Sequence, residues 1–189
     1  KPAEIYAANV LGTENMAAKI LTHNKTLIYT SSVATLKLTK DVISDESSEA
    51  KFDDMTGDYK KSKFLAEKIV LSFAKKKKLK AIIVNPSTPI GEGDIKPTPT
   101  GKIILDVLNK EMPAYVDTGL NFVHVDDVAE GHFLALKYGK IGEKYILGGE
   151  NLNFKDFLDS VSEIGKVPKV KFKINQKYLY FFAFINEIL

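Results

Sequence analysis

The chain has 189 residues, 44% of them hydrophobic and 27% charged, enough apolar content for a packed core and too much for a disordered segment. Its 27 basic side chains are all lysine, its formal net charge is only +3, and it has no arginine or cysteine. Disulfides, thiolate metal centres, a cysteine nucleophile and a bidentate guanidinium grip on phosphate are therefore excluded within these residues.

The first element predicted is a helix over 3–22, where Ile5, Ala8, Val10, Leu11, Met16, Ala17, Ile20 and Leu21 recur at helical spacing. Thr26 to Tyr29 reads as a short buried strand running into a polar tip, Thr30-Ser31-Ser32. Residues 37–56 are polar and acidic and read as a surface loop. Residues 58–78 read as a second helix with Phe64, Leu65, Ile69, Val70 and Phe73 on one face. The run Lys75 to Lys78 is its solvated end; no aromatics interleave with it, so no nucleic-acid partner is expected.

Ala81 to Val84 is a second buried strand, stopped by Asn85-Pro86 and followed by a long loop rich in Pro and Gly, the kind that often carries function. Beyond it come a helix over 102–110 and short strands at Ala114–Val116 and Phe122–Val125. Asp127 to Glu130 reads as a capping box opening a helix to Lys137. A strand at Glu143–Leu147 and a Gly148-Gly149 turn follow. Phe154–Ile164 reads as a helix capped by Asn153, Val170–Ile174 as a strand, and residues 177–188 as an aromatic-rich helix.

Strands thus alternate with helices, which predicts an α/β fold: a parallel sheet with helices on both faces. Nucleotide-binding sheets of this kind begin with a strand and a glycine-rich turn. Here the first element is a helix, and no Gly-x-x-Gly-x-x-Gly occurs.

Tyr59 and Lys63 stand at i and i+4 and share one helix face, which suits an acid–base phenol beside an ammonium. With lysine so frequent, the pair alone carries little information. Its context carries more: a strand ends at Ser31-Ser32 before it and another at Asn85-Pro86 after it, and the carboxyl ends of parallel strands are where such sheets bind ligands. His124, Asp126 and Asp127 read as structural or helix-capping residues, and the three scattered histidines (His23, His124, His132) predict no metal site.

Asn9-Val10-Leu11-Gly12-Thr13, Tyr29-Thr30-Ser31-Ser32, Tyr59 to Lys63, Val84-Asn85-Pro86 and Phe122 to Ala129, in this order, resemble the extended short-chain dehydrogenase/reductase family over essentially the whole chain. Asp94 to Gly101, Met112 to Gly119 and Lys144 to Asn151 look closest to its hopanoid-associated sugar epimerase subgroup, which borders the dihydroflavonol reductase-like proteins. The resemblance implies a doubly wound, Rossmann-type sheet, incomplete at its N-terminus, with a small α/β substrate-binding subdomain. The corresponding division is 1–86 plus 122–140 for the dinucleotide-binding part and 87–121 plus 141–189 for the substrate part.

It also implies roles. Ser32, Tyr59 and Lys63 would be catalytic: Tyr59 the general acid/base, Lys63 the holder of the nicotinamide ribose and the depressor of the tyrosine pKa, Ser32 the donor to the reacting oxygen. Asn9, Ser31, Tyr59, Lys63, Pro86 and Ser87 would line an NAD or NADP site, and Asn85, Thr98, Thr100 and Tyr115 a substrate site. The expected activity is that of a sugar epimerase-type oxidoreductase. The alternatives are an NADPH-dependent ketone reductase of the dihydroflavonol reductase type, and a cofactor-binding module without turnover.

Sugar-nucleotide epimerases of the family commonly place an arginine where Leu120-Asn121 stand here, a departure that favours a reductase acting on an uncharged carbonyl compound. The expected partners are a sugar nucleotide or ketone and a second copy of the chain, joined through helices 3–22 and 58–78. No stretch approaches the roughly 18 uncharged apolar residues of a membrane span. The chain opens Lys1-Pro2 with neither an initiating methionine nor a signal peptide, so a cytoplasmic protein is expected. The 189 residues are expected to be the middle and late part of a longer chain, inactive alone.

Overall fold

Ala81 to Val84 form an unbroken apolar run, which dictates a strand buried on both faces. In the computed structural model, which describes residues 2–39 and 42–175, that run is the centre of β2 (Lys80–Pro86). It lies between β1 (Thr26–Thr30) and β6 (Lys144–Leu147), and both pairings are parallel.

The described chain divides into two compact units, Lys1–Ser87 with Asp126–Gly148, and Thr88–Val125 with Gly149–Leu189. In the first, α1 (Pro2–Tyr6), a π-helical turn (Ala7–Leu11) and α2 (Gly12–Thr22) run on from one another before β1. α3 (Asp58–Lys77) packs beside them, and Ala17, Val70, Phe73, Leu79, Ala81 and Ile83 form one face of the core. On the opposite face α5 (Val125–Tyr138) brings Ala135 against Ile82 and Val84. The sheet is thus covered on both sides, the expected α/β arrangement. Gly131 permits the close approach of α5: a Cβ there would lie 2.6 Å from Leu147 Cδ2. Lys75, Lys76 and Lys77 occupy the last turn of α3, where the helix dipole favours cations, and Lys78 ends it in a left-handed conformation (φ 58°).

In the second unit β3 (Thr88–Ile90) pairs parallel with β5 (Gly119–His124), and β5 pairs antiparallel with β7 (Glu150–Asn153). β4 (Ala114–Val116) pairs parallel with β8 (Phe172–Ile174). α4 (Pro99–Leu108) and α6 (Phe154–Ile164) close the core of Val107, Phe122, Phe154, Phe157, Leu158 and Val170, with Phe122 and Phe157 stacked 4.1 Å apart.

Several expectations need correction. β3 and β7 were not anticipated. Residues 122–124 pair with β3 and β7 and so belong to the second unit, whereas 144–147 pair with β2 and belong to the first. α5 starts at Val125 directly after β5, so Asp127 lies inside its first turn and opens no capping box. Asn153 stands at the N-cap of α6 but makes no side-chain cap; its Nδ2 donates to Asp156 Oδ2 at 3.2 Å instead. Residues 37–56 are more than a surface loop: Ala50 and Met55 are buried against Phe64, and Glu46 accepts the outward-facing Ile146 N–H of β6 at 3.0 Å, covering that sheet edge. The helix expected at 177–188 lies outside the described residues.

Candidate functional site

β1 delivers Ser31 and Ser32 at its carboxyl end. Ser32 has extended backbone (φ −165°, ψ 150°) and caps a single 3-10 turn, Val33–Thr35, its Oγ accepting the Ala34 N–H at 3.1 Å. One lone pair is thereby fixed while the hydroxyl proton remains to be donated elsewhere, as a group stabilising a reacting oxygen requires.

α3 carries Tyr59 in its first turn, 55% exposed, so its phenol is reachable from solvent. One turn on, Lys63 Nζ donates to the Thr30 carbonyl at 2.7 Å and lies 5.3 Å from the centre of the Tyr29 ring. Burial pushes the Lys63 ammonium below the usual lysine range, against the opposing pull of the Glu67 charge. Burial also raises the Tyr29 phenol, a hydrogen bond with Thr13 acting the other way.

Asn9, in the π-helical turn, reaches the same helix. Its Nδ2 donates to Ser62 Oγ at 2.9 Å, and Ser62 Oγ donates to the Tyr59 carbonyl at 2.8 Å. Asn9 thus braces the turn that bears Tyr59. A π-helical turn at such a place accords with the general association of these turns with functional sites.

β2 ends in Asn85 and Pro86, both buried, followed by Ser87, whose N–H donates to the Leu147 carbonyl at 3.1 Å. Asn85 Oδ1 and Ser87 Oγ are buried without a hydrogen-bond partner among the described residues, so the carboxyl end of β2 presents two polar atoms with unused capacity.

Ser31, Ser32, Asn85, Pro86, Ser87, Tyr59, Lys63 and Asn9 all lie in the first unit. Thr98, Thr100 and Tyr115 lie in the second. Thr98 caps α4: its Oγ1 accepts the Gly101 N–H at 3.1 Å and donates to Asp94 Oδ2 at 2.9 Å, so its hydroxyl proton is already engaged. Thr100 lies in the first turn of α4. Tyr115 is half-buried against the aromatic core, with Lys155 Nζ 5.7 Å from its ring centre.

Sequence reasoning missed Glu67 and Lys144. Glu67 is 2% exposed, and its Oε1 lies 2.6 Å from Lys144 Nζ. Its Oε2 accepts from Ser31 Oγ, from Thr35 Oγ1 at 2.8 Å and from Asn85 Nδ2 at 3.0 Å. Burial alone would raise this carboxyl; the hydrogen bonds from Lys144 and Ser31, the Lys144 charge and the Thr35 bond together hold it below the usual range. A signal was present, since Glu67 continues the Tyr59–Lys63 stripe by one more turn between the buried Phe64 and Val70. His132 was also missed: its Nδ1 lies 2.7 Å from the Val128 carbonyl, which fixes that nitrogen as the donor, and its Nε2 lies 2.8 Å from Thr30 Oγ1.

A parallel sheet covered on both faces, with a serine, a tyrosine–lysine pair and an asparagine at one end, is a Rossmann-type arrangement. The chain belongs to the NAD dependent epimerase/dehydratase family, which it matches over residues 1–148. It is 43% identical over 189 residues to the "Putative dihydroflavonol 4-reductase" of Synechocystis sp., with 97% of this chain and 55% of that protein covered. The crystal structure of gox2253 superposes with a TM-score of 0.94 at 52% identity, covering 99% of this chain and 57% of that one. PA4631, a nucleoside-diphosphate-sugar epimerase from Pseudomonas aeruginosa, shares the fold (TM-score 0.89, 24% identity, 98% of this chain and 61% of that one). The chain spans a little over half the length of the Synechocystis protein and of gox2253. Among the described residues no helix is long and apolar enough to cross a membrane, and no group of three or more acidic or histidine side chains could hold a metal ion.

Proposed function

We propose that the protein containing this chain is an NAD(P)-dependent reductase of an uncharged ketone, akin to dihydroflavonol reductases. The observation that carries this reading is the neutral pair Leu120-Asn121, where a diphosphate-binding epimerase would place an arginine. Asn121 is already committed: its Nδ2 donates to Gly149 O at 3.1 Å and Asn151 Oδ1 at 2.9 Å, and its Oδ1 accepts the Gly149 N–H at 2.9 Å. The similarity to the Synechocystis protein supports the same reading.

The residues present fit the nicotinamide end of such a cofactor. The spare polar atoms of Asn85 and Ser87 stand at the carboxyl end of β2, and the Lys63 ammonium is anchored by the tip of β1. Lys63, Ser31, Pro86 and Ser87 would hold it; when bound, it supplies the hydride. Tyr59 would donate the proton to the carbonyl oxygen, the Ser32 hydroxyl would hydrogen-bond that oxygen, and Asn9 steadies the Tyr59 turn through Ser62. Thr98, Thr100 and Tyr115 remain proposed substrate residues, Thr98 through its lone pairs. The 189 residues carry no glycine-rich cradle for a pyrophosphate, so turnover is expected of the full-length protein.

A second reading, sugar epimerisation, is favoured by the family match itself. Incubating full-length protein with NADPH and a panel of ketones, and with NAD and a panel of nucleotide sugars, separates the two. A reductase consumes NADPH in step with alcohol formed; an epimerase interconverts its sugar with no net change in cofactor. No turnover with any substrate would leave a cofactor-binding module.

A further inference from the structure

The Glu67–Lys144 pair has no part in the proposed proton or hydride chemistry, yet its carboxylate is buried and bonded to three further side chains. One carboxylate joins all three strands to the helix that carries Tyr59 and Lys63: β1 through Ser31, β2 through Asn85, β6 through Lys144. Ser32 does not touch it but is held from both sides by residues that do. Thr35, at the end of the Ser32 turn, donates to Glu67, and Asn85 Nδ2, which donates to Glu67, also lies 3.0 Å from the Ser32 carbonyl. The Asn85 amide is turned by the same contacts so that its nitrogen meets protein acceptors and its Oδ1 is left unpartnered. Burying an ion pair contributes little net stability compared with apolar residues of the same size, because desolvation offsets the attraction. A role in fixing geometry accounts for the pair better than stability does.

We propose that Glu67, paired with Lys144, is a positioning residue that sets the Ser32 hydroxyl and the Asn85 carbonyl oxygen relative to the helix bearing Tyr59 and Lys63. The proposal rests on the reductase reading for its kinetic consequence and on the structure alone for its geometric one, and each has its own assay. In the full-length protein the double variant Glu67→Met/Lys144→Met replaces the pair with apolar side chains and so preserves packing. The expected result is a folded protein whose thermal midpoint lies below that of the parent, because Ser31, Thr35 and Asn85 lose a buried acceptor, and a fall in kcat on the order of 100-fold, as a displacement of about 1 Å produces, with KM for NADPH little changed. The Ala34 amide, which donates to Ser32 Oγ, exchanges its hydrogen faster.

Glu67→Gln, which keeps a carbonyl oxygen for part of the network, falls between parent and double variant in both assays; it also serves if the double variant does not fold. Unchanged kcat and unchanged Ala34 exchange in a folded variant would overturn the proposal. If the parent itself turns over no substrate, the functional reading fails, and Ala34 exchange alone decides the positioning role.

Discussion

Ser62→Ala probes the brace behind Tyr59. Ser62 is fully buried, and its hydroxyl both accepts from Asn9 Nδ2 at 2.9 Å and donates to the Tyr59 carbonyl at 2.8 Å. The substitution removes a fully buried hydroxyl from between two partners and leaves the half-buried Asn9 amide facing a methyl group, which together cost about 1–3 kcal/mol. The Tyr59 carbonyl loses only a supplementary bond, since helical acceptance from Lys63 N persists. We therefore expect a net loss of about 2 kcal/mol, which for a protein of this size lowers the thermal midpoint by about 4–8 °C. Urea unfolding with an unchanged m-value is the assay. In a double-mutant cycle with Asn9→Ala the two changes should be non-additive by about 1 kcal/mol, because they remove the same bond. Strict additivity, or a loss below about 0.5 kcal/mol, would refute the brace.

The remaining expectations concern charge, packing and assembly. Glu67 has a depressed carboxyl pKa, so its contribution to stability is complete above the ordinary carboxylate range and is lost as pH falls through its own lower value; Glu67→Gln should flatten the acid limb of stability against pH. Lys144→Met alone strands the Glu67 charge and should cost about 3–5 kcal/mol by urea unfolding. Leu158→Ala, at a fully buried site of the second core, should cost about 2–5 kcal/mol by the same measurement. Leu11 and Met16 leave apolar surface exposed on the first helical run, and light scattering of the full-length protein should show a dimer that Leu11→Lys/Met16→Lys converts to monomer.

The parts of the fold that could be read from the sequence are those whose local pattern and tertiary role agree. β2 is an unbroken apolar run because it is covered on both faces, and α3 shows an apolar stripe because one face is buried. Thr88–Ile90 escaped notice because three residues with a proline at their centre carry no period, and the strand exists only through its ladder with β5. Glu150–Asn153 has a single apolar residue, Leu152, too few for a period, and is likewise defined by pairing. At the site, Asn9, Ser32, Tyr59 and Lys63 stand out because the family motifs they resemble follow one another in order along the chain. Glu67 did not, although it continues their stripe. A glutamate on a lysine-rich helix reads as solvated, and only partners distant in sequence, Lys144 with Ser31, Thr35 and Asn85, explain how its charge is tolerated in the interior.

The central claim is that Tyr59 supplies the proton in an NAD(P)-dependent reduction. The most direct measurement is steady-state turnover of the full-length protein and its Tyr59→Phe variant with NADPH and the preferred ketone, beside NADPH affinity from nucleotide fluorescence. Tyr59 is exposed on the first turn of α3, so removing its hydroxyl should leave the fold and cofactor affinity intact while kcat falls by about 10²- to 10⁴-fold. A Tyr59→Phe protein that keeps parental kcat would contradict the account.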